Sequence, residues 1–166
     1  MAKTLIAVIG AGEGADIASM ALAEALGKAI AEQGWILVTG GRNVGIMEAV
    51  HRGAKQIPDS VTVGILPSRN TPASPFVDIP IVTDMGNARN NVIVLSAKVI
   101  IACGDGGPGT VSEIALALKS EKPVILLGAS QAFIHFFQSL GKERIFVASS
   151  PEHAIELVKQ WIKNQK

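Results

Sequence analysis

Short, unbroken apolar runs alternate along this chain with longer stretches whose apolar positions recur at helical spacing. The short runs are Thr4–Ile9, Trp35–Thr39, Val61–Leu66, Ile79–Val82, Val99–Cys103, Pro123–Leu127 and Ile145–Ala148. Continuous hydrophobicity, without the in–out alternation of a half-wet strand, predicts strands of a parallel sheet covered on both faces. Between them the helical period predicts a first helix from about Asp16 to Gln33, with Leu22, Ala25, Leu26, Ala29 and Ile30 on one face. A Glu24–Lys28 pair lies on its other face and Gly34 is its stop. A second helix carries Ile46, Met47, Val50 and Ala54, and a third opens at Met85–Asn91 and runs to about Lys98. The fourth, from near Thr110 to about Lys119, turns Val111, Ile114, Ala115 and Leu118 inward. A weaker one covers Ala132–Leu140, and the last, capped by Ser150 and Pro151, carries Ala154, Leu157, Val158, Trp161 and Ile162.

Glycine loops follow the strands on their C-terminal side. After Val99–Cys103 come Gly104, Asp105, Gly106, Gly107 and Gly109, and then a helix start at Thr110. Glycine backbone can lie flat against a ligand, and the free N–H groups of a helix start favour an anion. A capping box of Thr110 with Glu113 is the structural alternative for that pair. After the first strand, Gly10, Gly12 and Ala15 satisfy a dinucleotide fingerprint. The second strand, however, ends in Gly40, Gly41 and Arg42 instead of the acid a ribose needs, which argues against NAD. Arg42, before Gly45, is a candidate for bidentate phosphate contact. Pro67–Pro75 is too stiff for a helix and predicts a rim or lid bearing Ser68 and Arg69. Asn87, Arg89 and Asn90 gather donors and acceptors near another helix start. These placements predict an α/β, Rossmann-like single domain over residues 1–166: a parallel sheet of about seven strands, helices on both faces, and one ligand-binding rim.

Composition narrows the partners. The chain of 166 residues is 48% hydrophobic and 17% charged, so its surface is sparsely charged, as suits subunit contacts. A net charge of +1, no basic run and no tyrosine argue against nucleic acid. No stretch reaches membrane-spanning length, and MAKTLIAVIGAG reads as a first strand, not a signal peptide. The lone cysteine, Cys103, reads as a buried small hydrophobe in a reducing cytoplasm. His51, His135 and His153 read as packed or surface residues, with no metal site of the chain's own.

The segments GGRNVGIMEAV, MGNARNN and GDGGPGTVSE, in this order, resemble the molybdenum cofactor carrier proteins and their relatives, the LONELY GUY or "lysine decarboxylase-like" phosphoribohydrolases. The resemblance covers nearly the whole chain. In the hydrolases it implies a PGGxGTxxE motif whose glutamate, with an upstream arginine, works on the N-glycosidic bond of a nucleoside monophosphate. Gly106, Gly107, Gly109, Thr110 and Glu113 match the motif and Arg89 matches the arginine. Asp105 replaces the motif's proline, and Asn90 replaces the basic residue that usually follows the arginine. The departures and the ILPSRN stretch look more like the carrier branch, which implies binding of the molybdenum cofactor and delivery to molybdoenzymes or exchange with cofactor-synthesis proteins. Arg89 and Glu113 as catalytic residues of a phosphoribohydrolase is the alternative, and a nucleotide-binding sensor a further one. Relatives assemble through the helix before the central strand. Here Val92–Ala97 is apolar nearly all round, which predicts a homodimer or homotetramer.

Overall fold

A computed structural model describes residues 3–165. Seven parallel strands form one sheet in the order β4-β3-β2-β1-β5-β6-β7, with β1 Leu5–Gly10, β2 Ile36–Thr39, β3 Thr62–Leu66, β4 Ile79–Val82, β5 Val99–Cys103, β6 Val124–Leu127 and β7 Ile145–Ala148. Every residue of β3, β5 and β6 is buried, as their unbroken apolar runs require. β4 closes one edge with all four residues exposed, and Pro80 there is tolerated because an edge strand has an unpaired side.

Helices α1 (Ile17–Glu32), α2 (Gly45–Ala54) and α6 (Pro151–Asn164) enclose one apolar core. Helices α3 (Arg89–Ser96), α4 (Pro108–Lys119) and α5 (Gln131–Gly141) enclose another on the opposite face. Chain direction dictates where the crossover helices go: the steps from β1 to β3 run one way and those from β4 to β7 the other. A single crossover handedness sends their helices to opposite faces, while α6, after the last strand, packs on the α1 side. The order therefore reverses between β1 and β5, where open parallel sheets hold ligands beyond the strand ends.

Three local expectations change. Glu24 does not pair with Lys28. It accepts from Arg52 at 2.8 Å and from Gln56 at 3.0 Å, because α1 and α2 approach so closely that the neighbouring helix outcompetes the next turn. α3 stops at Ser96 and is covered on one side only, with Ile93 and Val94 fully buried and Leu95 exposed. α4 starts at Pro108, whose missing N–H costs nothing at the first helical position, and its buried residues are Thr110, Glu113, Ile114 and Ala117, with Val111 exposed.

Candidate functional site

A cleft of about 340 Å³ opens beyond the ends of β1, β2 and β5. Its walls are the turn after β1 (Gly10, Gly12, Glu13), the turn after β2 (Gly40, Arg42), the start of α3 (Asn87, Arg89, Asn90) and the turn into α4 (Gly106, Gly107, Gly109, Thr110, Glu113). Four separate stretches of the glycine-loop pattern thus meet in one place.

The helix starts differ in what they offer. The N–H of Ile46 in the first turn of α2 donates to the carbonyl of Ala11 at 3.0 Å, so that helix end is closed by the β1 turn. Gly45 permits the closure: a Cβ there would stand 2.2 Å from the Gly12 carbonyl oxygen. α4 is open. Pro108 has no N–H, the first backbone bond runs from Val111 N to the Gly107 carbonyl at 3.0 Å, and the amides of Gly109 and Thr110 precede it. A Cβ on Gly107 or Gly109 would meet nothing within 4 Å, so packing does not demand glycine at either position. Their bareness instead leaves backbone donors approachable from the cleft.

Charge is concentrated on two arginines. Arg42 bonds Glu13 across the cleft mouth at 2.5 Å. Arg89 lies deeper, its side chain 12% exposed, with Nη1 3.8 Å from Glu113 Oε1 and Nε buried without a partner among the described residues. Its other contact is a hydrogen bond from Nη1 to Asn90 Oδ1, while Asn90 Nδ2 donates to Ser112 Oγ at 3.0 Å. Gly40 makes room for it, since a Cβ there would stand 2.9 Å from Arg89 Nη2. Burial depresses the guanidinium's pKa, opposed by Glu113 and reinforced by Arg42. Burial likewise pushes the Glu113 carboxyl up to about 7, against the pull of Arg89. The capping-box alternative is excluded, because Thr110 is the third residue of α4 and Gly107 is its N-cap.

The other candidates are accounted for by packing or lie outside the cleft. Gly41, with φ +70°, packs on Gly64, and the Gly10 position is filled by Ile46, so packing accounts for both. Gly104 and Asp105 line a neighbouring cavity of about 380 Å³, where Asp105 Oδ1 accepts from Ser130 N at 2.7 Å. Ser68 and Arg69 are not brought to the cleft. Ser68 pairs with Thr71 at 2.9 Å, and Asp84 holds the Arg69 guanidinium through Nε at 2.8 Å. The sequence reading passed over Glu13, although its place between Gly12 and Gly14 in a strand-end loop was a usable signal. It also passed over the link from the His51 ring through Thr39 Oγ1 (2.7 Å), which accepts the Gly41 amide (2.8 Å) beneath the Arg42 turn.

Glu113 and His51 make stability depend on pH in opposite senses. The folded chain keeps a proton on Glu113 up to about pH 7, which the unfolded chain releases near 4.5, so this group's contribution falls as pH rises through that interval. Burial lowers His51 to about 4 despite Asp78, so the unfolded chain binds a proton there below 6.5 and the fold gains stability as pH rises from 4 to 6.5. The slopes oppose each other over their shared window. Glu113→Gln is expected to uncover the histidine slope, with urea midpoints climbing between about pH 4.5 and 6.5 more steeply than in wild type; parallel profiles would contradict this.

A parallel α/β sheet whose order reverses beneath an open helix start flanked by two arginines defines the class: a Rossmann-like protein with a cleft at its switch point. The sequence profile of the SLOG cluster4 family matches residues 3–155, and the chain belongs to that family. It is 52% identical to the molybdenum cofactor binding protein of the phototrophic bacterium Rippkaea orientalis, covering 98% of this chain and 99% of that one with a TM-score of 0.93. The molybdenum cofactor carrier protein of Chlamydomonas reinhardtii is 44% identical, with 97% and 99% covered and a TM-score of 0.90. An uncharacterized protein of Archaeoglobus fulgidus is 48% identical over 122 residues, 74% of this chain and 78% of its own.

Proposed function

We propose that this chain, acting over 1–166 as one ligand-binding domain, binds the molybdenum cofactor in the cleft and carries it to molybdoenzymes or cofactor-synthesis proteins. The observation that carries the reading is the convergence of the open α4 start with Arg42 and Arg89 on one cleft, in a chain matched end to end by molybdenum cofactor binding proteins. The Gly109 and Thr110 amides and the two guanidiniums supply donors for a phosphate, and glycine backbone admits a flat ring system beside them. The cofactor is cargo, so the cleft needs to hold it without activating water. Anaerobic titration of the purified protein with molybdenum cofactor is expected to show saturable, stoichiometric binding; absence of binding would end the proposal. The same reading places the protein in a reducing cytoplasm, where the buried, unpaired Cys103 is at home.

One observation favours a second reading. A buried carboxyl raised to about 7, with a guanidinium 3.8 Å away, is suited to proton transfer near neutrality. As a phosphoribohydrolase, Glu113 would steer water toward the ribose carbon as the base leaves, with Arg89 on the phosphate. Release of free base from adenosine monophosphate, lost in Glu113→Gln, would establish that activity, and no release would leave carriage alone.

We also infer self-association into a homodimer or homotetramer, supported by the exposed Met85, Leu95 and Val111 on or beside α3 and α4. Among the described residues no helix is long and apolar enough to cross a membrane, so a bilayer is not what covers them by spanning. Light scattering is expected to give a multiple of the 17.3 kDa chain mass; a monomer at micromolar concentration would contradict it.

A further inference from the structure

We propose that Asn90 and Ser112 are positioning residues of the cleft, linking the Arg89 guanidinium on α3 to the Gly109–Thr110 peptide on α4 so that both donors address one anionic group. The proposal rests on the reading that the cleft holds the ligand's anionic group. The sequence made Asn90 a candidate ligand contact, and the structure gives its carboxamide another task. The residue is only 6% exposed. Arg89 Nη1 donates to its Oδ1, its Nδ2 donates to Ser112 Oγ at 3.0 Å, and Ser112 Oγ donates to the Gly109 carbonyl at 2.7 Å.

What each group can do fixes the direction of this chain. A guanidinium only donates, so the atom facing Arg89 is the carboxamide oxygen, and the amide nitrogen is turned to Ser112. The hydroxyl accepts there and has its single proton left for the Gly109 carbonyl. Polarity therefore runs one way from α3 to α4, and reversing the carboxamide would set donor against donor. A lysine or arginine at position 90 could not accept from Arg89, and an aspartate would accept while neutralising the guanidinium. The amide holds the planar fork and leaves its charge for a ligand.

Both ends of the chain need holding. Among the described residues Asn90 is the one hydrogen-bond partner of the Arg89 side chain, with Nε unpartnered and Glu113 at 3.8 Å. At the other end Gly107 and Gly109 bracket Pro108, and a Cβ on either glycine would meet nothing within 4 Å, so side-chain packing does not fix that turn. A planar peptide points its C=O and N–H in opposite directions. Anchoring the Gly109 carbonyl through Ser112 thus aims the Thr110 amide back toward the cleft, which Arg89 also lines. Donors on two separate helices are held at one spacing before a ligand arrives, which lowers the ordering cost of binding. Ser112 acts from outside, being exposed and absent from the cleft wall.

The test measures affinity for inorganic phosphate and, anaerobically, for molybdenum cofactor in wild type, Ser112→Ala, Ser112→Thr, Arg89→Ala and the Arg89→Ala/Ser112→Ala double variant. Ser112 is exposed, so folding is retained, and equal melting temperatures check this. Ser112→Ala is expected to lose about fivefold in affinity for both probes, the worth of one neutral hydrogen bond. Ser112→Thr keeps the hydroxyl and is expected to stay within about twofold of wild type. Alignment matters only while both donors are present, so in the Arg89→Ala background the serine change is expected to lower cofactor affinity by less than about twofold. A Ser112→Ala affinity within about twofold of wild type, or an equal loss in both backgrounds, would overturn the chain and leave the cofactor reading standing. Weaker phosphate binding in Ser112→Ala, with no cofactor binding by wild type, would uphold the chain and end the cofactor reading. Binding of neither probe by wild type would overturn both.

Discussion

Arg89→Ala is expected to weaken molybdenum cofactor binding about a hundredfold, the largest effect of any single substitution in the cleft. Two charge-assisted hydrogen bonds from a buried guanidinium, at about 1.5 kcal/mol each, make about 3 kcal/mol, which is about two orders of magnitude in affinity. Among the described residues its Nε has no partner and its one ion-pair neighbour, Glu113, stands at 3.8 Å. The guanidinium is held in place with bonding capacity to spare. Arg89→Lys keeps the charge and loses the planar fork, so it is expected to fall between alanine and wild type. Arg144→Ala, which removes a surface guanidinium bound to the Glu121 carbonyl away from the cleft, serves as the control. Anaerobic titration measures all three, and an Arg89→Ala affinity within threefold of wild type, a shift of under about 0.7 kcal/mol, would remove this arginine from the ligand's partners.

The second large effect concerns the fold. Gly27→Ala and Gly53→Ala are each expected to cost about 3 kcal/mol or more, a large part of the usual stability of a domain this size. α1 and α2 cross with backbone against backbone: a Cβ on Gly27 would stand 1.9 Å from the Val50 carbonyl oxygen, and one on Gly53 1.8 Å from that of Glu24. Neither obstacle is the end of a side chain that can swing aside, so the helices must separate, pulling Arg52 from Glu24 and loosening the core beneath. Gly14→Ala, where a Cβ meets nothing within 4 Å, is the comparison. Urea denaturation decides between them, and a loss under about 1 kcal/mol at both helix glycines would mean that the pair yields without penalty.

These two helix glycines show where reading by pattern stops. Gly27 and Gly53 lie inside helical periods, where glycine is only a mild weakness, and nothing local marks them as the contact between two helices. The glycines after the strands were legible because their position is itself a signal. Among them, however, only the tertiary contacts separate Gly10, Gly41 and Gly45, which packing requires, from Gly107 and Gly109, which it does not. Arg42 and Arg89 were both candidates by type and place. Arg69 was a candidate by type as well, and Asp84, fifteen residues on, draws it off the cleft.

The strand and helix pattern, the parallel sheet and the C-terminal rim of glycine loops follow from the sequence by itself, because hydrophobic period and turn chemistry act over a few residues. The face of α4 did not follow. Periodicity pointed Val111, Ile114, Ala115 and Leu118 inward, whereas contact with α3 and the sheet leaves Val111 and Ala115 exposed and puts Glu113 inside beside Arg89. That placement is what raises the carboxyl to about 7. A shifted pKa, an open helix start and a cleft shared by four loops depend on distances between segments far apart in the chain. Such distances exist only once the sheet order has reversed between β1 and β5.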